Sequence, residues 1–308
     1  MKFYIYTLGC KVNTYESNVM RDKLINSGYV EGNIDNSDIY IVNTCTVTNT
    51  SDNKSLKVVR HIINKHPNSI IVVTGCMTQV NKDLLNDLDV SIIIGNSGKS
   101  NIVNYIEEYK KTNKKIIDIK DIMNLDFEDM CLNNFNKTRA FVKIEDGCEN
   151  YCSYCIIPYA RGKVRSKDKN VVLSEIKSLV ESNHKEIVLT GIHTGHYGSN
   201  DTYKFSDLLR DIEKIEGLKR LRISSIEITE LDSDFMDVLK SSKILVDHMH
   251  IPLQSGSDEI LKLMNRKYDK EYFIDKIKKI RTIRPDISIT TDLIVGFPGE
   301  SEELFKET

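Results

Sequence analysis

Four short apolar runs mark the first hundred residues: "FYIYTL" (3–8), "IYIVNT" (39–44), "IIVVTG" (70–75) and "SIIIGN" (91–96). Each is rich in β-branched residues and lacks the alternation of a half-exposed strand, so they predict strands buried on both faces of a parallel sheet. Between them, amphipathic stretches at 14–27, with Val19, Leu24 and Ile25 on one face, at 52–66 and at 81–88 predict helices. Strands alternating with helices give an α/β fold, here a three-layer N-terminal domain over 1–112. Residues 113–137 are lysine- and asparagine-rich with weak periodicity and are expected to form a linker holding one short strand at "KIIDI". From "RAFVKIEDGC" the alternation restarts, with strands near 140–145, 186–192, 219–225, 247–252 and 287–295. Helices are expected near 170–183, 204–216, 232–242, 269–284 and from 300. This βα series predicts a barrel, or part of one, over 138–308. The sequence stops at Thr308 inside a helix that "GESEELFKET" has just begun, so a partial (β/α) barrel, truncated at its C-terminus, is expected.

Composition narrows the picture only a little. A chain of 308 residues, 40% hydrophobic and 29% charged, can bury two cores without disulfides. The net charge of −2 excludes nucleic-acid binding by bulk positive charge, so any such contact must come from a local patch. "MKFYIYT" is too short for a signal-peptide core, and "TLGC" differs from a lipoprotein box at Thr7. No run approaches the roughly 18 apolar residues of a membrane span. A cytoplasmic protein is expected, in which clustered thiols stay reduced and bind metal more readily than they form disulfides.

The seven cysteines are not scattered. Cys148, Cys152 and Cys155 lie in "EDGCENYCSYCIIPYARGKVRS" (145–166). A C-x3-C-x2-C run admits buried thiols, or a zinc site needing a fourth ligand such as His184 or His193, neither at finger spacing. It also admits a [4Fe–4S] cluster on three thiolates that leaves one iron open. Cys10, Cys45 and Cys76 are distant in sequence, yet each directly follows one of the first three strand runs. Parallel strands end along one edge, so these cysteines are expected to converge on a second shared metal site. Cys131 is left over as a non-ligand. "GNSGKS" (95–100) misses the Walker pattern because Ile93 stands where its first glycine is required. The basic run Arg161, Lys163, Arg165, Lys167 and Lys169 reads as a solvated face, or beside a metal centre as a phosphate-contacting patch. His248 and His250 alternate on one strand face and are expected to pack there.

The C-x3-C-x2-C spacing after the first strand of a βα series resembles the radical S-adenosylmethionine superfamily. Together "TLGCKVNTYES" (7–17), "NTCTVT" (43–48), "TGCMTQ" (74–79), "LTGIHTGHYG" (189–198), "RISSIE" (222–227), "HIPLQSGSD" (250–258) and "TDLIVGFPGE" (291–300) resemble its methylthiotransferase family. The resemblance implies two [4Fe–4S] clusters, one on Cys10, Cys45 and Cys76, the other on Cys148, Cys152 and Cys155. At the latter, S-adenosylmethionine chelates the open iron and yields a 5′-deoxyadenosyl radical. It places Tyr154 near the adenine, and puts Gly191, Ser225, Gln254 and Gly296 of the "GFPGE" turn among cofactor contacts. "LGCKVN" and "PYARGKVRS" are most similar to the branch acting on N6-threonylcarbamoyladenosine at position 37 of tRNA. Lys11 and Val12 distinguish it from the isopentenyladenosine and ribosomal-protein branches. Implied partners are the anticodon loop of ANN-decoding tRNA, an electron donor such as flavodoxin or ferredoxin, and a sulfur source. Full-length relatives complete the barrel and add a small RNA-binding β-barrel; both are expected to be absent here, so a non-catalytic iron–sulfur or RNA-binding fragment is the competing expectation.

Overall fold

The computed structural model describes residues 1–199 and 201–308. It divides into two compact units, Met1–Leu132 with Ile156–Lys163, and Asn133–Cys155 with Val164–Thr308. The eight residues that directly follow Cys155 thus group with the first unit.

The first unit is built on strands β1 (Lys2–Thr7), β2 (Val30–Glu31), β3 (Ile39–Thr44), β4 (Ile70–Gly75), β5 (Ile92–Ile94) and β6 (Ile116–Asp118). They form one parallel sheet in the order β2-β1-β3-β4-β5-β6. The central strands β3 and β4 are buried at every position, as their unbroken apolar runs require. Helices α1 (Lys11–Asn26) and α4 (Ile102–Thr112) cover one face through Met20, Leu24, Ile102 and Ile106. Helix α2 (Asn49–Lys65) covers the other through Leu56, Val59 and Ile62. Each of these side chains contributes roughly 1.5–3 kcal/mol by leaving water.

Three local readings change. Val19 and Leu24 face the core, but Ile25 is exposed, because one residue past Leu24 the helix has turned about 100° away from the sheet. The helix expected at 81–88 is a five-residue helix α3 (Cys76–Val80) followed by a short 3₁₀ turn, Lys82–Leu85. Residues 113–132 are not a free linker: β6 is the sixth strand of the sheet, and Met130 and Leu132 are buried.

In the second unit β7 (Arg139–Lys143), β10 (Glu186–Thr190) and β11 (Arg220–Ile223) pair in parallel. Strands β12 (His248–His250) and β13 (Ser288–Thr290) form a further parallel pair. A parallel bridge between Leu221 and Leu245 joins the two sets, giving an open arc of βα units. Helices α6 (Lys169–Glu181), α7 (Phe205–Glu213), α8 (Ser233–Ser241) and α10 (Lys270–Ile283) follow β7, β10, β11 and β12 in chain order, with α9 (Asp258–Leu263) and α11 (Glu302–Glu307) completing the set. A two-residue antiparallel ladder, β8 (Glu145–Asp146) against β9 (Arg165–Ser166), closes the base of the segment that carries the cysteine run. No helix among the described residues is long and apolar enough to cross a membrane.

Candidate metal centres

In the first unit the chain steps from β1 to β2 on one side, then crosses to β3 on the other, so β1 and β3 flank a topological switch point. Cys10 and Cys45 follow those two strands, and Cys76 follows β4. Two glycines pull the turns together. A Cβ at Gly9, where φ is +94°, would stand 3.0 Å from Cys45 Sγ and 3.1 Å from Asn13 Nδ2. A Cβ at Gly75, where φ is +110°, would lie 2.4 Å from the Thr44 carbonyl oxygen. Only glycine fits either the angle or the space. Asn13 ties the edge further: its Nδ2 donates to the carbonyls of Leu8 (2.8 Å) and Thr44 (2.9 Å), at the ends of β1 and β3.

Just behind this edge lies a set of fully buried charges. Arg161 Nη1 donates to Glu16 Oε1 at 2.6 Å, and Arg161 Nη2 to Asn13 Oδ1 at 2.7 Å. Lys99 Nζ donates to Glu16 Oε2 at 2.5 Å and to Asn96 Oδ1 at 2.9 Å. All three charged side chains are 0% exposed. Although Cys10 is exposed as a residue, its thiol is desolvated, which raises its pKa; Arg161 is the strongest opposing influence. Burial lowers the Lys99 pKa, opposed by Glu16 first and by Cys76 among the rest.

These contacts correct the reading of the basic run as a phosphate patch. Arg161, on α5 (Ile157–Arg161), is buried on Glu16, and Lys167 is buried on Glu175. Arg165 is half-buried and pairs with Asp146 at 3.5 Å. Only Lys163 and Lys169 of the five are exposed. Lys99 of the "GNSGKS" stretch likewise serves Glu16.

In the second unit the loop carrying Cys148, Cys152 and Cys155 is clamped by the turn after α9. Ser153 donates its N–H to the Met264 carbonyl (3.1 Å) and its hydroxyl to that of Leu263 (2.8 Å). Asn265 Nδ2 donates to the Tyr151 carbonyl (2.9 Å). Two cations reach the cysteine sulfurs. Arg266 Nη1 donates to Cys152 Sγ at 3.3 Å while its Nη2 pairs with Glu227. His193 Nδ1 lies 3.9 Å from Cys148 Sγ while its Nε2 meets Glu230 Oε1 at 2.6 Å. Glu227 and Glu230 bracket one 3₁₀ turn after β11 and are tied to each other by the Glu227 N–H (2.9 Å). Burial alone would lower the His193 pKa, but Cys148 and Glu230 push it up to about 11. Glu145 accepts the N–H groups of Ile192 (2.9 Å) and His193 (2.7 Å), and burial pushes its carboxyl up to about 8. Sequence reading singled out none of Arg266, Glu227, Glu230 or Glu145; nothing local marks Arg266, which lies 114 residues from the cysteine it touches.

Of the remaining predicted residues, Gly191, Ser225, Gln254 and Gly296 follow the C-terminal ends of β10, β11, β12 and β13. Gly191 follows β10, and a Cβ there would stand 2.7 Å from Glu145 Oε2. Ser225 is half-buried after β11, and Gln254, at φ +71°, bridges to Leu293. Gly296, at φ +72°, precedes Phe297, whose ring meets Tyr154 edge-on at 6.4 Å. His184 is directed at Phe135 and Asn134. His248 and His250 both hydrogen-bond Thr290 on β13.

The donor sets fit cubane clusters better than single ions. Zinc, with Zn–S bonds near 2.3 Å, draws thiolate sulfurs to about 4 Å from one another. Among the described residues, the set whose ligand atoms all lie within 4.8 Å is His193, His196 and Glu230; neither cysteine triplet is that tight. A cubane takes each thiolate on a separate iron and needs the wider spacing.

Residues 142–308 match the family described as "Radical SAM superfamily", and residues 2–95 that described as "Uncharacterized protein family UPF0004". The chain is 42% identical to the Bacillus subtilis protein named "Threonylcarbamoyladenosine tRNA methylthiotransferase MtaB", over 98% of this chain and 68% of that one. It is 39% identical to the protein of the same name from Aquifex aeolicus, over 100% and 76%. It is 38% identical to the "tRNA-2-methylthio-N(6)-dimethylallyladenosine synthase" of Clostridium botulinum, over 100% and 70%. In fold it is similar to the radical S-adenosylmethionine methyltransferase TsrM of Kitasatospora setae, with a TM-score of 0.67 at 13% identity, over 98% of this chain and 69% of that one. The cobalamin-dependent radical enzyme OxsB matches with the same TM-score at 13% identity, over 99% and 51%. With two cysteine triplets on two parallel edges and relatives of this similarity along its whole length, the chain belongs to the radical S-adenosylmethionine methylthiotransferases, which work with S-adenosylmethionine and [4Fe–4S] clusters.

Proposed function

We propose that the chain methylthiolates C2 of N6-threonylcarbamoyladenosine at position 37 of tRNA. The observation that carries this reading is the pair of cysteine triplets, each at the C-terminal edge of parallel strands and each offering three thiolates. Cys148, Cys152 and Cys155 would hold the cluster that works with S-adenosylmethionine, and Cys10, Cys45 and Cys76 the auxiliary one. When bound, these groups supply reductive cleavage of a sulfonium and a site for the transferred sulfur. The chain's own residues do the rest. Arg266 and His193 donate hydrogen bonds to two of the thiolates, and Glu227 and Glu230 hold those donors in place. Gly191, Ser225, Gln254 and Gly296, after the strand ends, and Tyr154, in the cysteine loop, would contact the cofactor.

The choice of threonylcarbamoyladenosine rests on Lys11 and Val12 and on the names of two relatives at 39–42% identity. Isopentenyladenosine is the second reading, favoured by the Clostridium botulinum relative at 38%. Anaerobic assays on tRNA carrying one or the other modification separate them by mass: a methylthio product on threonylcarbamoyladenosine alone supports the first reading, and product on isopentenyladenosine alone overturns it. The substrate would be the anticodon loop of ANN-decoding tRNA in the cytoplasm, with a flavodoxin or ferredoxin as electron donor and a separate sulfur source. A fragment without catalysis would yield no 5′-deoxyadenosine in the same assay.

With Arg161 and Lys167 buried, the tRNA contact assigned to the basic run falls to Lys163 and Lys169. Lys163→Glu is expected to weaken tRNA binding and reduce the salt slope by about 1, as loss of one phosphate contact does. An unchanged slope would remove Lys163 from the interface.

A further inference from the structure

We propose that His193, His196 and Glu230 hold a divalent first-row transition-metal ion, at a site distinct from both cysteine triplets. Two imidazole nitrogens and one carboxylate oxygen form a donor set that suits Fe²⁺, Mn²⁺ or Zn²⁺ and leaves further coordination positions open. One ligand atom from each residue lies within 4.8 Å of the other two. Glu230 Oε1 is 2.6 Å from His193 Nε2 and 4.0 Å from His196 Nε2. Ligand atoms bound at about 2.1 Å to one ion stand roughly 3–4 Å apart, so small side-chain shifts bring all three onto it.

The fold builds this set from two neighbouring strands. His193 precedes and His196 ends the 3₁₀ turn Thr194–His196 after β10, and Glu230 ends the turn Ile228–Glu230 after β11. Because β10 and β11 pair in parallel, both turns stand at one sheet edge. Gly195 lets them meet: a Cβ there would lie 2.4 Å from Glu230 Oε2 and 2.6 Å from its Cδ. The Glu230 side chain is 1% exposed, and its Oε2 accepts the Glu227 N–H at 2.9 Å. Its Oε1, although close to Nε2, makes no hydrogen bond of regular geometry, and neither does the buried Thr194 Oγ1 in the facing turn. A buried carboxylate oxygen in that state calls for a partner, and an ion between it and the two imidazoles is one. Asn150 Nδ2 stands 3.5 Å from His193 Nε2, at the limit of a hydrogen bond. The ion displaces the proton on Nε2, which passes to solvent, and no electron is transferred. His196, 39% exposed, gives the ion its way in. Held through Nε2, the His193 ring keeps Nδ1 turned toward Cys148 Sγ, 3.9 Å away.

The test titrates the full chain with Mn²⁺ alone, after oxygen-free reconstitution, oxidation and removal of loose iron by gel filtration. Free Mn²⁺ is followed by its electron paramagnetic resonance signal. A single Mn²⁺ per chain is expected to bind, with imidazole nitrogen couplings in the bound spectrum. Loss of a residue that merely orients a ligand costs about 10–100-fold in metal affinity, so loss of a ligand costs at least that. His196→Phe, which keeps a ring beside His193, is therefore expected to weaken Mn²⁺ binding by at least about tenfold. His196→Asp, which restores a ligand atom, is expected to bind Mn²⁺ more tightly than His196→Phe. Absence of stoichiometric Mn²⁺ binding, or equal affinity in His196→Phe and the parent, would overturn the site, since scattered surface carboxylates bind alike in both.

Discussion

Anaerobically reconstituted Cys152→Ala protein is expected to form no 5′-deoxyadenosine above background from S-adenosylmethionine and dithionite. Cys45→Ala is expected to keep cleaving the cofactor while making no methylthiolated adenosine. The two cysteines belong to different triplets in different compact units, so each loss should be confined to one half of the chemistry. Cys152 has a further claim, as its sulfur accepts a hydrogen bond from Arg266, which is itself held by Glu227. Removing that thiolate would take a ligand from the proposed cluster and leave the Arg266–Glu227 pair without the sulfur it approaches. Cys45 is buried against Gly9 at the β1/β3 switch point, where loss of the sulfur opens the auxiliary site alone. Methylthiolated product from the Cys45 variant, measured by mass spectrometry of digested tRNA, would show that the division of labour is wrong.

Glu16→Gln is expected to destabilise the cluster-free chain by about 3–5 kcal/mol, the cost of removing one partner from a buried ion pair. The neutral amide removes the carboxylate that Arg161 and Lys99 share. Whole domains are stable by only about 5–15 kcal/mol, so such a loss consumes a large share of the total. Chemical denaturation followed by circular dichroism measures it. Had Arg161 been a solvated phosphate contact, as the basic run suggests, its partner's loss would cost under about 1 kcal/mol. A midpoint within error of the parent protein would therefore contradict the buried-cluster description.

What the sequence made legible follows from how the information is stored. Strands β3 and β4 announce themselves because a strand covered on both faces needs an unbroken apolar run, and "IYIVNT" and "IIVVTG" are such runs. The two cysteine triplets proposed as metal ligands stand out in the sequence as well: three follow strand ends, and three share one short segment. Helix α4 was missed, although Ile102 and Ile106 stand four apart on its buried face, because the charged residues around them dilute the pattern. The charge network was not legible at all. Glu16 lies 83 residues from Lys99 and 145 from Arg161, and each taken alone is an ordinary surface residue. Only the fold shows that they are buried, and it converts a predicted RNA contact into a core charge. The same distance hides Arg266, which lies 114 residues from the sulfur it approaches.

Iron and acid-labile sulfide per chain after oxygen-free reconstitution test the account most directly. Two triplets each holding a cubane predict about eight irons and eight sulfides, falling to about four when either triplet is changed to alanine. About four in the parent protein, unaffected by loss of Cys10, Cys45 and Cys76, or zinc in place of iron, would contradict it.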